Sequence, residues 1–115
     1  MVRKFETGAT RDADEGKYDY EGFLSPLVIK RFGEYMHKHR VQSDGSLRDS
    51  DNWQKGIPLS AYLKSAHRHY MDVWLHHRGL SDEANEPIEE ALCALLFNIS
   101  GYLHETCKQR RTGSN

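Results

Sequence analysis

Ile88-Glu89-Glu90-Ala91-Leu92-Cys93-Ala94-Leu95-Leu96-Phe97-Asn98-Ile99-Ser100-Gly101-Tyr102-Leu103 decides the fold class. Ile88, Ala91, Leu92, Leu95, Leu96, Ile99, Tyr102 and Leu103 recur at the 3.6-residue period of a helix and make a broad apolar face. Pro87 marks its beginning. Glu86, Glu89 and Glu90 crowd that end, where carboxylates suit the positive pole of the helix dipole. Working back along the chain, Gly56-Ile57-Pro58-Leu59 leads into a second helix with Ser60 as its expected cap. Tyr62, Ala66, His69, Tyr70, Val73 and Trp74 form its stripe, and Gly79 ends it as a C-terminal glycine.

A further helix is signalled upstream. Ser25 is a good N-cap and Pro26 suits the first helical position. Val28, Ile29, Phe32, Tyr35, Met36 and His39 then share a face, while Glu34 points to solvent or to a partner chain. The helix fades near His39-Arg40. Between it and the next lies Ser43-Asp44-Gly45-Ser46, then Arg48 to Gly56, turn-rich and too polar for a core element. No segment sustains the alternation of a strand. The expectation is an all-α fold, a small bundle of three main helices with a long irregular N-terminal arm and loop. Leu24 to Met36 and Leu92 to Leu103 would supply most of the core. The arm covers 1–22, the helical domain 23–107 and a disordered tail 108–115.

The chain has 115 residues and 13.3 kDa, enough for one core. Lys and Arg number 16 against 17 Asp and Glu, a net charge of -1, which speaks against direct nucleic-acid binding driven by phosphate charge. No stretch approaches the roughly 20 apolar residues of a membrane span. The opening Met-Val-Arg-Lys-Phe-Glu-Thr-Gly has no apolar segment after its basic pair, so no secretory signal is read there. Cys93 and Cys107 lack the CxxC spacing, and a reducing cytoplasm is the expected location. The modest size favours a homo-oligomer. Seven His exceed ordinary usage.

Three stretches can carry chemistry. In Ser65-Ala66-His67-Arg68-His69-Tyr70-Met71-Asp72, His69 and Asp72 share a helix face, and Arg68 can pair with Asp72. The pair suits a divalent metal or a held water, and equally a core-edge His beside a local carboxylate. In the second stretch, Asp82 to Glu90, Glu86 can converge with Glu89 or Glu90. Magnesium takes such oxygen ligands together with substrate phosphates, although helix capping and solvation also explain these acids. In the third, Arg48 to Gly56, Trp53 can stack on a base and Asn52 can read its edge. Lys55 and Arg48 can meet phosphates. A Trp that only plugs the loop onto the body is the plain alternative. His76-His77 and His37/His39 point too far apart to chelate and read as surface. Zinc-hydrolase spacing, a Gly-rich phosphate loop and a nucleophile elbow are all missing from the sequence.

Several segments together resemble a known family. Gly8-Ala9-Thr10-Arg11-Asp12, Glu15-Gly16-Lys17-Tyr18-Asp19 and Leu24-Ser25-Pro26 look like its opening. Asp51-Asn52-Trp53-Gln54-Lys55-Gly56-Ile57-Pro58 and Ala66-His67-Arg68-His69 look like its centre, and Ala91 to Asn98 looks like its end. This is the phage and prophage dATP/dGTP diphosphohydrolase N-terminal domain, a relative of the MazG-like all-α nucleotide pyrophosphohydrolases. The resemblance implies hydrolysis of a purine deoxynucleoside triphosphate to the monophosphate and pyrophosphate with Mg²⁺ or Mn²⁺. The family's metal ligands do not carry over residue by residue, and the candidates in this chain are His69, Asp72, Glu86 and Glu90 for the metal and Glu89 and Asp72 for catalysis. Lys17, Asn52, Trp53, Lys55 and Arg68 would hold the substrate. The superfamily pattern Glu-Glu-x-x-Glu followed by Glu-x-x-Asp is only half matched, by Asp82-Glu83-Ala84-Asn85-Glu86. A non-catalytic protein that sequesters a nucleotide, and a small helical interaction protein, are the alternative readings.

Overall fold

Tyr62 and Gly101 mark the closest approach of the two longest helices. The computed structural model describes residues 2–13 and 15–113. Helix α3 spans Leu59–His77 and helix α4 spans Ile88–Thr112. They run antiparallel, because Asp72 meets Asn85 near the connection while Tyr62 meets Phe97 and Gly101 far from it. The facing positions of α4 are Ala91, Ala94, Asn98, Gly101 and Glu105, all buried, at heptad spacing. Small residues there let the backbones approach, and Tyr62, 1% exposed, fills the space over Gly101.

Helix α2, Pro26–Lys38, crosses the start of α4. As expected, Ser25 caps it, its hydroxyl accepting from the Val28 amide at 3.3 Å. Tyr35, with Phe32 and Met36 beside it, packs on Cys93 and Ala94. A one-turn helix α1, Tyr20–Phe23, precedes it. The chain is thus mostly helical, as its sequence predicts. None of its helices, among the described residues, is long and apolar enough to cross a membrane. Cys93 and Cys107 are unpaired thiols.

Several expectations need correction. The arm is not wholly irregular: strands β1, Val2–Lys4, and β2, Thr10–Asp12, pair antiparallel around a turn at Gly8. Its brevity hid it from any alternation test. Ser60 does not cap α3, whose N-cap is Pro58 without a side-chain bond. Gly79 does end the helix region, at φ +74°. Residues 108–112 are helical rather than a disordered tail, and Gly113 closes α4 in the left-handed region. Ser114 and Asn115 lie outside the described residues.

The core is also smaller and differently placed. Leu24, Leu27, Val28 and Ile29 are exposed, Leu27 by 80%, because the contacts of α2 with α4 run from Arg31 onward. Leu92, Ile99 and Leu103 lie beside the α3 contact rather than in it, as do Tyr70 and Trp74 on α3. Close helix approach selects the small residues for the seam and leaves the large ones on its flank.

Candidate functional site

A loop of turns brings two arginines to one tryptophan. After α2 the chain reverses around Asp44-Gly45. Asp44 Oδ1 accepts from the Ser46 amide at 2.9 Å, and Gly45 supplies the positive φ of +85°. The reversal pairs Val41 with Leu47, and the Arg48 amide donates to the Arg40 carbonyl at 2.8 Å. Arg40 and Arg48 therefore leave adjacent points of the backbone. The next turn, a 3₁₀ helix over Asn52–Lys55, presents Trp53, whose ring stands edge-on to His104 of α4 with centroids 4.6 Å apart.

These parts enclose a cavity of about 640 Å³ between α2, the loop and the middle of α3 and α4. That lies within the roughly 300–1,000 Å³ of small-molecule sites. Arg40, Arg48, His37, His39, Asn52, Trp53 and His69 all line it. Asp49 is the acidic residue of the lining. Arg40 is oriented by His37, donating from Nε to its carbonyl at 3.2 Å and from Nη2 to its ring Nε2 at 3.3 Å. Arg48 Nη1 donates to the His39 carbonyl at 3.4 Å. Both guanidiniums keep further donors, and such planar donors suit phosphate oxygens.

Tyr35 also lines the cavity. Burial pushes its phenol up to about 12, and the Glu86 and Glu90 carboxylates push the same way. Both glutamates therefore stand close to this wall. Each already has a protein partner. The Glu86 carboxylate is hydrogen-bonded to His69 Nδ1, and its carbonyl pairs with His76 Nε2 at 2.7 Å. Glu90 pairs with Lys38, whose hydrogen bond holds its carboxyl below the ordinary carboxylate value.

No family model, curated protein or solved structure matches the chain. The site is therefore read from its own geometry. Of the residues expected to hold substrate, Asn52 and Trp53 line the cavity. Lys55 is exposed on the same turn but outside the lining, and Arg68 bonds Ser65 Oγ at 3.4 Å instead of Asp72. Lys17 lies in the segment before α1 and is not part of the cavity lining.

The expected metal set is not assembled. His69 and Glu86 do meet. Asp72, however, is buried, its Oδ1 accepting from the Asn85 amide at 3.1 Å. It ties the α3–α4 connection down, which explains a buried carboxylate without a metal. Glu89 is exposed and accepts from Arg31 Nε at 2.7 Å. Among the described residues, no group of three or more His, Cys, Asp or Glu side chains is placed to hold a metal ion. One oxygen of each carboxylate is engaged, Asp72 by an amide, Glu86 by an imidazole and Glu90 by an ammonium group.

His37 and His39 are exposed, as expected, and they also line the cavity; His76 and His104 hold the connection and Trp53. Arg40 was not singled out by sequence reasoning. The signal available was its place at one foot of an Asp-Gly turn with Arg48 at the other.

Proposed function

We propose that this protein binds a purine nucleotide in the cavity beneath Trp53. One observation carries the reading: an aromatic ring, an amide side chain and two arginines converge on a single cavity. In this pose the base stacks on Trp53, as bases do on exposed aromatic faces. Asn52 hydrogen-bonds the base edge. Arg40 and Arg48 take the phosphates, with His37 and His39 adding donors when protonated. Binding of this kind needs no metal. It is tested by titrating the protein with dATP, dGTP, dCTP and dTTP, with EDTA and then with Mg²⁺ or Mn²⁺. Purine binding that survives EDTA and is lost in Trp53→Ala supports the reading; no binding of any nucleotide overturns it.

Hydrolysis is the second reading, favoured by the two glutamates beside Tyr35 at the cavity wall and by the family resemblance. In that reaction a water oxygen bonds the α-phosphorus while the bond to the α–β bridging oxygen breaks. Pyrophosphate leaves with the electron pair, and the water's proton passes to a base. Because the carboxylates are engaged by His69 and Lys38, no step is assigned to a metal. Release of pyrophosphate from dATP or dGTP at micromolar protein would establish turnover, and its absence beside intact binding would leave a sequestering protein.

A further inference from the structure

Among the described residues, Asn98 is the one buried residue of α4 that also lines the cavity. Its side chain is 5% exposed. Asn98 Nδ2 donates to the Ala94 carbonyl at 2.8 Å. A carbonyl only accepts, so this bond fixes which end of the amide is nitrogen. The other end, Oδ1, has no hydrogen bond among the described residues. Two polar residues of α3 share the cavity with it, Ser65 and His69. Ser65 pairs with Arg68, and His69 Nδ1 pairs with Glu86. The Tyr62 hydroxyl, whose ring packs over Gly101, has no partner either.

A buried amide oxygen without a donor costs stability, and buried polar groups of folded chains are almost always paired. Asn98 opens onto the cavity, so its missing donor can come from what the cavity holds.

We infer that Asn98 reads the base of the bound nucleotide and makes the site prefer adenine, an assignment that rests on the nucleotide reading above. Trp53 meets α4 at His104. Asn98 lies six residues earlier, about 9 Å along the helix. A purine stacked on Trp53 bridges that span with the hydrogen bonds of its edge. An amide offers an acceptor and a donor side by side. Adenine answers with its exocyclic amino group and a neighbouring ring nitrogen. Oδ1 accepts from the amino group, and the second Nδ2 hydrogen goes to the ring nitrogen.

Guanine carries a carbonyl where adenine carries the amino group. A free amide would flip to suit it. Asn98 cannot flip without losing its bond to Ala94 and setting its oxygen against a carbonyl oxygen. No such bond anchors the Asn52 side chain among the described residues. Asn52 can therefore turn to suit either purine, and the choice between them falls to Asn98.

The test compares dATP, dGTP and the dATP analogue whose purine lacks the exocyclic amino group. Each is titrated into the full chain in EDTA and then with Mg²⁺. The chain should bind dATP at least about tenfold tighter than either of the others, the scale of one amide–base contact. In Asn98→Leu the three affinities should converge to within about twofold. An Asn98→Leu loss that is equal for all three nucleotides would make Asn98 a packing residue only and overturn the assignment. Equal binding of dATP and the amino-free analogue by the unaltered chain would also overturn it, and that comparison stands even where the variant does not fold. Absence of binding by any nucleotide is a separate result, which overturns the nucleotide reading itself and the assignment with it.

Discussion

His69 Nδ1 on α3 is hydrogen-bonded to the Glu86 carboxylate just before α4, and this contact joins the cavity lining to the α3–α4 connection. Both side chains are three-quarters buried. Two neighbouring contacts, Asp72 to the Asn85 amide and His76 to the Glu86 carbonyl, act on the same short segment. The pair therefore fixes one lining residue of the cavity and the entry of α4 together.

Replacing either partner should cost stability, and the costs should not add. His69→Ala and Glu86→Gln should each destabilise by about 1–2 kcal/mol in urea unfolding. A double-mutant cycle should give a coupling of about 1 kcal/mol. Additive costs would show that the two side chains do not act as a pair.

Gly101 should tolerate no side chain. A Cβ there would overlap the Tyr62 ring, which α3 and α4 enclose. Gly101→Ala should lower stability by about 1–3 kcal/mol, although alanine is the better helix former. The buried Tyr62 hydroxyl lacks a hydrogen-bond partner. Tyr62→Phe should therefore be neutral or stabilising by thermal melting, because it removes an unsatisfied group.

Acid should weaken the contact between α2 and α4. Lys38 holds the folded-state Glu90 carboxyl below its ordinary value of 4.5. The contribution of this pair is complete above that value and is lost as the pH falls through the lowered one. Glu90→Gln should be less stable at neutral pH by about 1 kcal/mol and should lose less on acidification. Equal acid sensitivity of the two proteins would contradict this role for Glu90.

Alkali should act through Tyr35. Its phenol ionises at about 12 in the folded chain against 10.0 ordinarily. The raised value means that stability is fully present below pH 10 and falls between about 10 and 12, where the unfolded chain releases the proton first. Ultraviolet titration should show a late tyrosine that disappears in Tyr35→Phe.

The helices were legible where local chemistry sets them. Ser25, Pro26 and the Val28 amide form a self-contained cap, and Gly79 provides the positive φ after α3. The seam between α3 and α4 was not legible, because hydrophobicity favours Leu92, Ile99 and Leu103 while close packing favours Ala91, Ala94 and Gly101 one or two residues away. Trp53 and Asn52 were readable as candidates from their residue types. Arg40 was not, since only the closure of the Asp44-Gly45 turn brings it beside Arg48 and into the cavity. Asp72 looked like a metal ligand because its helical spacing from His69 is right. The spacing carries no information about the Asn85 amide, which comes from another segment and occupies the carboxylate.

Isothermal titration with dATP and dGTP in EDTA tests the central claim most directly. The account predicts one nucleotide per chain and an affinity that weakens with salt. Arg40→Ala or Arg48→Ala should weaken binding about tenfold, and Trp53→Ala should weaken it by about 1–3 kcal/mol. No heat of binding from either nucleotide, or binding that Trp53→Ala and Arg48→Ala both leave unchanged, would contradict it.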